Sequence, residues 1–204
     1  MTEIPTDTSA AEPSRRSFLR AGALGGTGAL LAGCGIGASA ATSATRTGSL
    51  YLTIATPAML GNEDKPAYIP AYPHVPANAS VHVEIVNFDD ATPLTGSLVQ
   101  FARVRGTVGN IIRVQALDPQ DPNAEAPAQG VSALDPQNVA HTFTIASLGI
   151  NVPVSPKART IFEIRTGAPG VHSWRCNDPC GSGASGWGGA MAAPGYMMGK
   201  LTVE

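Results

Sequence analysis

Pro169-Gly170-Val171-His172-Ser173-Trp174-Arg175-Cys176 runs straight into Asn177-Asp178-Pro179-Cys180. A glycine-rich stretch then leads to Met197-Met198-Gly199-Lys200-Leu201-Thr202-Val203. Pro169-Gly170 is a strong turn signal. Each flanking run is short and carries β-branched or aromatic residues, which reads as a strand. The C-terminal region is therefore two strands joined by one long loop.

Other strands follow outward from this pair. His141-Thr142-Phe143-Thr144-Ile145 and Thr160-Ile161-Phe162-Glu163-Ile164 alternate along their length. Val81-His82-Val83-Glu84-Ile85-Val86-Asn87 alternates more strictly, with Val81, Val83 and Ile85 on one side and His82 and Glu84 on the other. Ser49 to Ile54 is a further strand, and Leu98–Arg105 and Asn110–Leu117 have strand-like composition. Residues 57–79 and 118–138 are rich in turn formers and read as long loops. Seven or eight short strands with Pro/Gly turns predict an all-β Greek-key β-sandwich. No convincing helix is expected after the N-terminal segment.

The composition agrees. The 204 residues include 23 Gly and 17 Pro but only 14% charged residues, which favours turns and short strands over long helices. After residue 34 no apolar run approaches the roughly 20 residues of a spanning helix. The formal net charge of -2 leaves no basic excess for nucleic acid. There is no Gly-x-Ser-x-Gly elbow, phosphate loop or His-Glu-x-x-His, so hydrolytic enzymes have no support.

The first 33 residues read as an export segment. Ser14-Arg15-Arg16-Ser17-Phe18-Leu19-Arg20 precedes a Gly/Ala/Leu-rich run. Arg15 and Arg16 with Phe18-Leu19 resemble the twin-arginine export signal, a route that implies a protein carried already folded. Leu31-Ala32-Gly33-Cys34 resembles a bacterial lipobox, in which Cys34 is acylated and becomes the new N-terminus. Residues 34–48 then form a flexible tether of small residues, and residues 49–204 form the folded domain. Acyl chains buried in a bilayer hold at about 0.8 kcal/mol per CH₂. The expected location is the outer face of a bacterial cell membrane, in the periplasmic space.

His141, Cys176 and Cys180 sit at strand ends, and Met191 and Met197 lie in the loop between the last two strands. Imidazole with thiolate, often with a weak thioether, is the donor set that suits copper in electron transfer. A sandwich holds such a set rigidly when one ligand opens an early strand and the rest come from one loop.

His141-Thr142-Phe143, the strand ending in Cys176, and Met197-Met198-Gly199-Lys200 resemble the cupredoxin family. The resemblance covers residues 80–204 and is most specific over 139–204. It implies copper bound by His141, Cys176 and an axial Met197, with Met191 as the other candidate. Cys176-x3-Cys180 also matches the spacing of the binuclear copper centre in cytochrome c oxidase subunit II. Both patterns have a second histidine after the cysteine. Here those positions are Ala184 and Ala192, and no histidine follows His172. Cys180 is the candidate to replace it.

This leaves three expectations. One is a one-electron copper carrier serving a redox partner protein, not itself an enzyme. Another is a copper-free module with a Cys176–Cys180 disulfide, since exported cysteine pairs usually cross-link. The last is copper delivery or storage. His172, about 13 Å from Cys176 along a regular strand, His82 and His74 are placed outside the site. The uncharged loop 179–199 either packs inward or forms an apolar docking surface.

Overall fold

A computed structural model describes residues 46–62, 64–121 and 127–204. They belong to a unit spanning Thr42–Glu204. Arg15, Arg16, Cys34 and the tether as far as residue 45 lie outside the described residues.

The described residues form eleven strands: β1 (Arg46–Ala55), β2 (Ala67–Ile69), β3 (His74–Val75), β4 (Ala79–Asn87), β5 (Ile112–Ala116), β6 (Gln129–Val131), β7 (His141–Ile145), β8 (Ile150–Val154), β9 (Ala158–Arg165), β10 (Gly170–Arg175) and β11 (Met198–Val203). A six-stranded sheet runs β2-β1-β4-β9-β5-β6, and a five-stranded sheet runs β3-β11-β10-β7-β8. The chain passes repeatedly from one sheet to the other, as in a Greek-key sandwich. The fold is the all-β sandwich the sequence predicts.

β4 shows why. Val81, Val83 and Ile85 are fully buried, while His82 points to solvent. Strand geometry puts alternate side chains on opposite faces, so one face of β4 lies on the core. Across the core stand Phe143, Ile145, Trp174 and Leu201 from the other sheet. Burying each large side chain contributes about 1.5–3 kcal/mol. Tyr68, Phe143 and Trp174 form an aromatic centre with ring centroids 5.0–5.9 Å apart.

Four elements differ from the sequence reading. Within 118–138, read as a long loop, β6 pairs antiparallel with β5 over three residues. The stretch 57–79 is not only loop: β2 pairs antiparallel with β1, and β3 parallel with β11. Proline spacing leaves only two- or three-residue pairing runs there, too short to show a period. Trp174 Nε1 donates to the Ala71 carbonyl at 3.0 Å and ties this stretch to β10. Leu98–Arg105 is not a strand. Gly96–Ala102 is a 3-10 helix. Leu98 and Phe101, three apart, share one face of it and pack on the cluster of Leu94, Ala102 and Val139. Asn151 anchors it, with Nδ2 donating to the Phe101 and Arg103 carbonyls at 2.9 and 2.7 Å. Finally, β8 escaped the sequence reading because Pro153 interrupts it. Proline is tolerated because β8 is an edge strand.

Candidate metal centre

His141 opens β7, and its side chain is fully buried. Cys176 directly follows β10, also fully buried. Its backbone N–H donates to the Met197 carbonyl at 2.8 Å, which continues the β10–β11 pairing. Its sulfur accepts the backbone N–H of Thr142 at 3.3 Å and of Asp178 at 3.4 Å. The Asn177 N–H donates to Thr142 Oγ1 at 2.7 Å. Strand β7 thus presents His141 and simultaneously fixes the Cys176 turn.

Cys180 is half-buried, with its sulfur 3.5 Å from that of Cys176. A disulfide needs about 2.05 Å, and both cysteines are free thiols. A ring nitrogen of His141 and the two sulfurs all lie within 4.8 Å of one another, a group that could hold a metal ion. Cys180 Sγ is 3.4 Å from Met191 Sδ. Met197 is buried in the core and joined to Cys176 through its backbone carbonyl.

The loop between Cys180 and Met191 is folded back on itself. Gly181 N–H donates to the Gly186 carbonyl at 2.8 Å, and Gly188 N–H to Ser182 at 2.9 Å. Gly186 has φ +68, and a Cβ there would overlap the Pro179 carbonyl. Met191 and Met197 turn inward, whereas Trp187 is 37% exposed beside Arg175. The uncharged loop therefore packs its methionines and shows its tryptophan.

Charge is distributed unevenly. His141 Nε2 lies 3.3 Å from Asp89 Oδ2, and His141 Nδ1 is buried without a hydrogen-bond partner. Burial favours the neutral ring, but the Asp89 contact and the nearby Cys176 sulfur outweigh it and raise the His141 pKa to about 9. Burial also pushes the Cys176 thiol up. The hydrogen bond from Cys180 and the adjacent His141 prevail and hold it well below the ordinary thiol value. The hydrogen bond with Cys176 and burial push the Cys180 thiol up. These shifts favour a single thiolate on Cys176, with Cys180 donating to it, beside a protonated His141.

Three residues here were not picked out from the sequence. Asp89 lies 52 positions from His141, and nothing local links them. Tyr68 belongs to the stretch read as loop. It is fully buried, its hydroxyl lacks a partner, and its ring meets His141 edge-on at 6.3 Å. Asp178 lies between the cysteines, fully buried with both carboxylate oxygens unpartnered. Burial and the Cys176 thiolate raise its pKa to about 8. A polar residue inside a Cys-x3-Cys loop was the one available signal. The other histidines lie apart: His172 bonds Ser147, His74 bonds Glu204, and His82 is exposed.

No family model matches the chain, and no curated protein matches it. Among solved structures it is similar to auracyanin B, at 14% identity over 79% of this chain and 91% of that one, with a TM-score of 0.34. A dithionite-reduced auracyanin from the photosynthetic bacterium Roseiflexus castenholzii is 14% identical over 76% and 96% of the two chains, with a TM-score of 0.35. Reduced rusticyanin is 15% identical over 80% and 83%, with a TM-score of 0.31. The fold assignment itself stands on the strand pairing described above.

Proposed function

We propose that this chain is an exported, lipid-anchored copper protein that carries one electron at a time. The observation that carries this reading is the buried group of His141, Cys176 and Cys180, with Met191 against Cys180. One imidazole, two thiols and a thioether form a soft donor set that suits copper better than magnesium, calcium or manganese. His141 Nδ1 is buried without a hydrogen-bond partner, and a metal ion in place of its proton would satisfy it, so the residues fit the ion. Copper held there would supply a couple between Cu(I) and Cu(II).

The protein's own residues do the remaining work. His141 and Cys176 are fixed by paired strands and by N–H donors to sulfur, so the ligands shift little when charge changes. Tyr68, whose ring meets His141 edge-on, covers the fully buried imidazole and is itself packed on Phe143 and Trp174. Cys180 is the partly exposed donor, and with Trp187 nearby in sequence marks the side that meets a redox partner. Export and acylation rest on Arg15, Arg16 and Cys34. Among the described residues no helix is long and apolar enough to cross a membrane. Copper delivery or storage is a second reading, favoured by the second thiol where a second imidazole would otherwise stand.

Visible and electron paramagnetic resonance spectra of the full-length chain with Cu(II) test this. An intense thiolate-to-copper band, lost in Cys176→Ser, is expected. Four hyperfine lines would mean one copper and seven lines a binuclear pair. Tight Cu(I) binding with slow electron exchange would favour delivery. A colourless protein with no free thiols would overturn both readings and leave a disulfide-bonded module.

A further inference from the structure

We infer that Asp89 is a positioning residue for the metal ligand His141, held in place by Asn87. This rests on the reading of His141, Cys176 and Cys180 as a metal centre.

β4 ends at Asn87, whose side chain is fully buried. A buried amide must spend its hydrogen bonds locally. Asn87 Oδ1 accepts the Asp89 N–H at 3.0 Å, and Asn87 Nδ2 donates to the Asp89 carbonyl at 3.3 Å and the Ser155 carbonyl at 2.9 Å. The Asp89 backbone is thereby gripped from both sides and tied to the turn between β8 and β9. Its carboxylate is committed as well. Oδ1 accepts the Asp90 N–H at 3.0 Å, and Oδ2 meets His141 Nε2 at 3.3 Å. Lys157, the nearby cation, pairs with Asp90 instead. The His141 side chain is 0% exposed and that of Asp89 25%, so the contact sits at the boundary of the core.

The chemical consequence follows from the imidazole itself. A ring has two nitrogens, and the hydrogen bond made by one decides which the metal takes. With Nε2–H donated to Asp89, Nδ1 is left for the metal and the ring cannot swing away. A carboxylate partner also makes the ring a stronger donor, and such partners are typically worth about 10–100-fold in metal affinity. Its negative charge stabilises the more positive oxidation state. The site has only one histidine, so no second imidazole shares the task.

The test compares full-length wild type, Asp89→Asn and Asp89→Ala. Cu(I) affinity is measured by competition with a chromophoric chelator, and reduction potential by redox titration. Urea unfolding of the metal-free forms confirms that the variants fold. Asp89→Ala should bind copper about 10–100-fold more weakly and at a higher potential. Asp89→Asn should raise the potential while keeping most of the affinity, because its amide oxygen still accepts Nε2–H. Affinity within twofold of wild type, with unchanged potential, would overturn the inference. A metal-independent readout separates the two levels: metal-free wild type should show a downfield His141 Nε2–H proton resonance that Asp89→Ala loses. If the wild type takes up no copper, the copper reading falls. That resonance then still decides whether Asp89 holds the ring.

Discussion

Gly181→Ala should damage both stability and the metal centre, and the reason is purely steric. A Cβ at Gly181 would overlap the Gly188 carbonyl oxygen, and would lie 2.8 Å from Met191 Cγ and 3.0 Å from the Gly186 oxygen. Carbon atoms rest at about 3.5–4.0 Å, so roughly 1 Å of movement is needed on the Met191 side alone. Any such movement pulls on the Gly181–Gly186 hydrogen bond at 2.8 Å and the Ser182–Gly188 pair at 2.9 and 3.2 Å. Each such bond is worth about 1 kcal/mol net, and overpacking costs about 1–3 kcal/mol. A loss of about 2 kcal/mol is therefore expected. The same displacement separates Met191 Sδ from Cys180 Sγ, now 3.4 Å apart.

Gly183→Ala is the matched control. Gly183 has φ +83 with nothing within 4 Å of an added Cβ. Only left-handed backbone strain applies, at about 1–2 kcal/mol, and Cys180 and Met191 stay in place. Urea unfolding of metal-free protein reads the stability, and the thiolate-to-copper band reads the site. Gly181→Ala should alter both, and Gly183→Ala only the first. Equal spectra for wild type and Gly181→Ala, or a greater spectral change in Gly183→Ala, would refute the claim that the glycine loop sets the site geometry.

Tyr68→Phe should stabilise the metal-free protein by about 1 kcal/mol, because it removes a buried hydroxyl that has no partner; a clear loss in urea unfolding would contradict this. Met191→Leu should change the copper spectrum more than Met197→Leu, since Met191 holds its sulfur against Cys180; the reverse ranking would sink that assignment. In the metal-free protein Asp178 keeps its proton from its ordinary value of 3.8 up to about 8. A raised pKa means the folded state binds the extra proton, so its contribution is full below pH 3.8 and is lost as pH rises through 8. His141, raised from 6.5 to about 9, acts in the same sense, and the lowered Cys176 thiol in the opposite one. Asp178→Asn should therefore flatten the decline of stability between pH 4 and 8, and an unchanged slope would disprove it.

How much of this was legible in the sequence depends on the range over which each residue acts. β4 and β9 announce themselves because one face lies on the core and the other outward, giving a period of two in Val81, Val83 and Ile85. β7 and β8 are buried on both faces, and β8 carries Pro153, so only β7 reads as a strand, from an alternation of Phe143 and Ile145 with threonines that does not correspond to a solvent face. Tyr68 lies in a three-residue strand, too short for any period, yet its ring stands at the centre of the core. The donors followed the same rule. His141, Cys176 and Cys180 could be picked out as soft donors at strand ends, whereas Met197 stood out only by its place before the last strand, as the cupredoxin resemblance implies, with Met191 as the spare candidate.

What makes those donors a site is long-range. Thr142 N–H and Asp178 N–H converge on the Cys176 sulfur. The Asp89 carboxylate, anchored at the end of β4, reaches a histidine on the opposite sheet. The sandwich brings these groups together by closing one sheet over the other, and their spacing in the chain does not encode that closure. A histidine with one nitrogen tied to a carboxylate and the other buried without a partner, in a ring close to two thiols, has few ways to satisfy itself inside a dry core. Thiolate and imidazolium can neutralise each other without metal, at the cost of a buried ion pair and a protonated Asp178 alongside. His141, Cys176 and Cys180 would hold a soft cation in place of those protons and so lose the buried ion pair, and this is the physical reason to look first for copper.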